Sequence, residues 1–205
     1  MTSDRIQTIF EELKNNGLVS GTRRLIPKTN EPNFRASAVW KAKIFYNPNF
    51  STMNGDSIRF TLLHEEGHKI NKQFSHKLLI MCAIISILSI LIISYLSSDM
   101  GILLRCLISI GACLFILLII IILFQIFKYR IFKDEYTSDL CAAIKLKNYY
   151  GYCNIFNIID IALKEINEGK QKTTVLDNII NNCFPNHPND EDRVSKVKNE
   201  VDHLG

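Results

Sequence analysis

The chain reads as an α+β protein, mainly helical, with a small β-sheet and a two-helix transmembrane hairpin interrupting the globular part. Three observations predict this. Helical periodicity recurs on both sides of the chain's middle, and residues 35–46 (RASAVWKAKIFY) are rich in β-branched and aromatic side chains. Between the two halves lie two apolar runs, Leu78 to Leu96 and Ile102 to Phe127, each long enough to cross about 30 Å of hydrocarbon as a helix. The 205 residues thus divide into an N-terminal half (1–76), a hairpin (77–127) and a C-terminal half (128–205).

In chain order, Ser3 or Asp4 can cap an amphipathic helix carrying Ile6, Ile9, Phe10 and Leu13, which Gly17 ends. A loop through Pro27 and Pro32 leads to one or two strands within 35–46. Asn47-Pro48-Asn49 marks a turn, and a helix starts near Asp56 or Ser57 and runs towards Lys72 or beyond. Phe60, Leu63, Gly67 and Ile70 line one stripe of it, the pattern of a packed helix. After the hairpin, 134–146 is helical and Gly151 breaks it. Further helices are expected from about Asn154 to Glu168, from Thr173 or Thr174 to near Cys183, and after the Pro185–Pro188 turn.

The first apolar run contains no charged residue, and the second contains only Arg105, near its start. Two soluble helices of such uniform apolarity would demand an unusually large core for so short a chain. The link 97–101 is short and holds no lysine or arginine. Lys69, Lys72 and Lys77 precede the first run, and Lys128, Arg130 and Lys133 follow the second. The positive-inside rule then places both termini on the cytoplasmic side, in an integral protein of the plasma or inner membrane with spans of about 78–96 and 102–127. Met1 to Arg5 shows no apolar signal core, so the first span would act as the membrane address. The net charge of +4 is mild, and no nucleic-acid partner is expected. The six cysteines lack C-x-x-C spacing and read as small apolar residues.

Chemistry enters with His64-Glu65-Glu66-Gly67-His68, an H-E-x-x-H motif on a helix. Residues four apart are helical neighbours, so His64 and His68 can turn both imidazoles towards one metal ion. Glu65 lies beside them, where its carboxylate can take a proton from water. Two histidines leave a catalytic zinc ion short of a protein ligand. Glu135 and Asp139, in the pattern E-x-x-x-D, supply a candidate third ligand and a hydrogen-bond acceptor that fixes an imidazole tautomer. Most helical Glu/Asp pairs are solvated faces. Here His68 lies nine residues before Lys77, and Glu135 eight after Phe127, so a tight hairpin would set both roughly 12–14 Å from the bilayer on the same side.

The ordered motifs H-E-x-G-H, a membrane hairpin, and E-[FY]-x-x-D resemble the membrane-bound zinc metallopeptidases that include the HtpX heat-shock proteases and the CaaX prenyl endopeptidases. His64, Glu65, Gly67 and His68 match the first motif; Glu135, Tyr136 and Asp139 match the second. Asn71 fits an H-x-x-N continuation, and His187-Pro188 through Arg193 is similar to an H-P-x-x-x-x-R segment near the catalytic cleft. The resemblance covers roughly 35–200. Ser138 stands where alanine is common, and this chain has no spans before the first motif.

The resemblance implies a minimal zincin-like metallopeptidase domain holding one Zn²⁺ per chain. His64, His68 and Glu135 would be its ligands, Glu65 the general base and Asp139 the support behind a ligand. His187 and Arg193 would be candidate transition-state or substrate contacts. A peptide could add to the strand edge around Ala36 to Lys43, with Trp40 near the cleft.

The expected function is therefore a membrane-anchored zinc endopeptidase. Its partners would be peptide or protein substrates, membrane proteins among them, and the lipid bilayer. The alternative is a non-catalytic membrane adaptor that keeps the fold for binding. Glu65 argues against it, since a binding relic has no chemical need for that carboxylate. An intramembrane protease is disfavoured by the charges around the motif (Arg59, Lys69, Lys72).

Overall fold

The computed structural model describes residues 4–29, 34–36, 43–68, 89, 101–169 and 188–203. Among them are five α-helices and three strands: α1 (Arg5–Asn15), β1 (Arg24–Pro27), β2 (Arg35–Ala36), β3 (Lys43–Tyr46), α2 (Gly55–Gly67), α3 (Ile102–Tyr150), α4 (Ile155–Gly169) and α5 (Asp190–His203). A 3₁₀ turn, Pro48–Thr52, joins β3 to α2. The chain forms two compact units. One comprises Met1–Ile70 with Phe132–Gly205, and the other Asn71–Ile131.

Helix α1 forms where its capping chemistry places it. The Asp4 carboxylate accepts the Ile6 N–H at 3.0 Å, and Ile6, Ile9, Phe10 and Leu13 are all buried. Gly17 ends the helix at φ +70, a conformation that costs a residue without Cβ little, and the Leu18 N–H returns to the Leu13 carbonyl at 2.9 Å. Helix α2 starts slightly before the expected position, because Asn54 and not a later residue caps it, its side chain accepting the Asp56 N–H at 2.9 Å. Glu165 of α4 in turn accepts the Asn54 N–H, at 3.0 and 3.2 Å, and so ties α4 to the start of α2. Gly151, at φ +67, follows the last residue of α3.

The sheet runs β1-β3-β2. Strand β1 is parallel to β3, with Arg24 opposite Lys43 and Pro27 opposite Tyr46. Strand β2 is antiparallel to β3, with Ala36 opposite Ile44. Strand β1 falls in a segment expected to be a loop. Four residues ending in proline carry too little alternation to signal a strand, yet Pro27 is tolerated at the end of an outer strand. The expected substrate edge, Ala36 to Lys43, lies mostly outside the described residues, as does Trp40. So do the helix expected from 173 or 174 to near 183, and His76.

The expected transmembrane hairpin needs correction. Among the described residues, no helix is long and apolar enough to cross a membrane. A hairpin requires two spanning helices, and 78–96 lies outside the described residues apart from Ser89. The run 102–127 is not a helix of its own. It is the front of the 49-residue α3, which continues without a break through Lys128, Arg130, Lys133, Asp134 and Glu135. Apolar run length marked an element that the fold does not delimit. With the hairpin goes the placement as an integral plasma- or inner-membrane protein with cytoplasmic termini.

A polar network joins α1 and α2 to the end of α3 and the loop after it. Arg59 donates to both Glu12 oxygens, at 3.2 and 2.8 Å, and to Asp56 at 2.9 Å. The Tyr150 hydroxyl donates to Glu12 at 2.5 Å, and that of Tyr152 to Asp56 at 2.6 Å. The Arg59 bond holds the Glu12 carboxyl below its ordinary 4.5 against the opposing effect of burial, and Tyr150 adds to the lowering. A depressed carboxyl stabilises the fold above its unfolded value, and that contribution is lost as pH falls through the folded one. Glu12→Gln is therefore expected to destabilise the protein by about 1 kcal/mol at neutral pH, allowing for the pair's exposure. The difference in melting temperature between variant and wild type should narrow as pH falls from neutral through and below the ordinary carboxylate range. Thermal unfolding followed by circular dichroism measures it, and a gap that does not narrow with falling pH contradicts this account.

Candidate metal centre

Four-residue spacing on two helices builds the site. On α2 the last turn carries His64 and Glu65, with His68 just past the helix end. On α3 two adjacent rows face them, Asp134 with Ser138 and Glu135 with Asp139. All of these except Asp134 are at least nine-tenths buried, and Asp139 is fully so.

Each imidazole is held from behind. The His64 Nδ1–H donates to Asp139 Oδ1 at 2.7 Å. His68 Nδ1 lies 3.1 Å from Asp134 Oδ2 and 3.2 Å from Ser138 Oγ. Carboxylate partners at both Nδ1 atoms fix the tautomer in which each Nε2 presents a lone pair. Those two Nε2 atoms stand 3.0 Å apart, with the rings edge to face. Glu135 closes the triangle, one oxygen 3.5 Å from His64 Nε2 and the other 3.4 Å from His68 Nε2.

Three acceptors this close repel one another unless positive charge lies among them. The metal-free site can meet that need with a proton. Burial works against a charged His64, but Asp139 and Glu135 outweigh it, and the ring is pushed up to about 10. A metal ion meets the need as well. Tetrahedral coordination with bonds of about 2.0–2.2 Å sets neighbouring ligand atoms about 3.3–3.6 Å apart, close to the separations found here. The buried group His64, Glu65 and His68, with ligand atoms within 4.8 Å of one another, could hold a metal ion.

The helices reach this separation because of Gly67. A Cβ at Gly67 would lie 2.8 Å from the Ser138 Cα and 3.0 Å from its Cβ, so α2 and α3 touch backbone to backbone just beside the imidazoles. The small side chain of Ser138, 1% exposed, fits the same close approach.

The structure thus brings together His64, Glu65, His68, Glu135 and Asp139. Arg193 is also present, but behind the site: it donates from Nε to Asp139 Oδ2 and from Nη2 to Asp139 Oδ1, both at 2.7 Å. His187 lies outside the described residues. Sequence reasoning missed Asp134 as the partner of His68. The signal was there, since Asp134 precedes Glu135 and sits four before Ser138 on the same face. It also missed the buried pair of Arg23 with Glu66, at 2.6 Å, which anchors the motif helix to the segment before β1. No local pattern marks a partner 43 residues away.

Comparison of the chain with protein-family models, with curated proteins and with solved structures finds no match.

Gly67→Ala is expected to push α2 away from α3, costing about 1–3 kcal/mol in stability and weakening metal binding. Adding Ser138→Gly should recover only part of the loss, because the clash with the backbone of residue 138 remains. Denaturant midpoints and metal titrations of the single and double variants test this. Full recovery in the double variant would show that the side chain, not the backbone approach, sets the spacing.

Proposed function

We propose that this chain is a zinc-dependent peptidase in which His64, His68 and Glu135 hold the metal and Glu65 is the general base. The observation that carries the reading is the convergence of the two Nε2 atoms and the Glu135 carboxylate within 3.0–3.5 Å, each imidazole backed by a carboxylate. Two nitrogens and an oxygen suit zinc, and three protein ligands leave the open position of a catalytic rather than a structural site. The motif order His64-Glu65-x-x-His68 then Glu135-x-x-x-Asp139 is similar to that of zinc metallopeptidases, which supports the same reading.

Zinc, when bound, supplies Lewis-acid chemistry, making water more acidic and drawing electron density from a carbonyl. The chain's own residues do the rest. Asp139 and Asp134 keep the Nε2 lone pairs of His64 and His68 aimed into the site by holding Nδ1–H. Glu65, 7% exposed and one residue from His64, takes the proton of a water as it attacks the scissile carbonyl, and passes it to the departing amine. Burial of the cluster excludes bulk water and strengthens these interactions.

Glu65→Gln is the decisive variant. Purified wild type and variant should each contain about one zinc ion per chain by elemental analysis. The wild type should cleave unfolded protein or a peptide library, and the variant should be slower by about 10²-fold or more. Zinc in both proteins with equal cleavage would remove Glu65 from the mechanism, and zinc in both with no cleavage by wild type would sink the general-peptidase reading.

A further inference from the structure

We propose that Arg193 is a positioning residue through which the C-terminal helix governs the affinity of the metal centre. This rests on the metal-centre reading above and adds a control to it. The Asp139 carboxylate is fully buried, and its partners divide its oxygens. Oδ2 takes Arg193 Nε, while Oδ1 takes both Arg193 Nη2 and His64 Nδ1, all at 2.7 Å. A guanidinium forked across both oxygens sets the plane of the carboxylate, and that plane sets the direction in which Oδ1 receives the imidazole. The same Nη2 stands 3.8 Å from the Glu135 oxygen that faces His64. One side chain therefore touches the support of one proposed ligand and stands beside another.

Arg193 belongs to α5, and that helix is docked by interactions of its own. Val197 and Val201 are buried, and Lys196 lies 4.5 Å over the ring of Tyr136, next to Glu135. At its first turn Asp190 lies 4.0 Å from Arg193 Nη1 and accepts the Asn167 side chain of α4 at 2.6 Å. Docking of α5 thus aligns His64 through Arg193 and Asp139.

Two effects of Arg193 oppose each other. Its positive charge repels a divalent ion, so removing it should tighten binding if charge dominates. Its fork orients Asp139, so removing it should weaken binding if geometry dominates. Lysine keeps the charge and loses the fork, which separates the two.

The test uses the full chain and Co²⁺ as a zinc substitute with visible absorption. Affinity and spectrum are measured for wild type, Arg193→Lys and Arg193→Gln, with unfolding of the metal-free proteins alongside. Both variants should bind Co²⁺ about tenfold more weakly or worse, in the range seen when groups behind a ligand are removed, with a changed absorption band. Wild-type affinity and spectrum in Arg193→Lys, or tighter binding by Arg193→Gln, would overturn the orienting role. Loss of the metal-free fold in both variants would overturn it too, assigning Arg193 to the scaffold. Failure of the wild type to bind Co²⁺ or Zn²⁺ would instead overturn the metal-centre reading itself.

Discussion

The approach of α2 to α3 at Gly67 and Ser138 is the constraint from which the rest of the site follows. Helices usually pack with axes about 8–10 Å apart, and side chains fill the gap. Here a missing side chain meets a small one, and the backbones touch. Only at that separation can short side chains such as those of Asp134 and Asp139 reach imidazoles on the opposite helix, at 3.1 and 2.7 Å. With a larger residue at position 67 the same rows of residues would still face each other, but across a distance that water would fill.

The second principle is electrostatic. Glu65, Glu66, Asp134, Glu135 and Asp139 crowd around two imidazoles, and the guanidinium groups nearby are those of Arg23 and Arg193. Burying so many carboxyl groups is costly unless each has a partner. Asp139 shows how the balance is struck. Burial alone would raise its pKa, yet His64 and Arg193 outweigh that and hold it below the usual carboxylate range. A metal ion held by the buried His64, Glu65 and His68 could add to that balance.

Much of the site was legible because helical spacing is local. His64 and His68, and Glu135 and Asp139, each repeat at four residues, and that interval alone predicts a shared face. What joins one face to another is not local. Nothing near Arg23 marks it as the partner of Glu66, and the fork of Arg193 on Asp139 spans 54 residues. The resemblance offered Arg193 as a candidate transition-state or substrate contact, and the structure pairs its guanidinium with Asp139, the support of His64. Strand β1 was hidden for a related reason, since its pairing with β3 and not its own composition makes it a strand. The hairpin misled in the opposite way. Hydropathy reports what a segment avoids, and it does not say where a helix starts or stops; the sequence of α3 passes from apolar residues to the site's carboxylates within one helix.

The sequence distances across the site carry a thermodynamic consequence. The bonds of His68 with Asp134 and of His64 with Asp139 close chain loops of 66 and 75 residues. Loop-closure entropy grows only with the logarithm of loop length, so doubling or halving the stretch between them changes the cost by about 0.6 kcal/mol. A change in the length of the stretch between them therefore alters the closure cost of the site only slightly. Assembly speed is less forgiving, because pairings so remote in sequence form late and slow the search for the native state. In this chain, half of the site waits in the folding polymer for the other half to arrive.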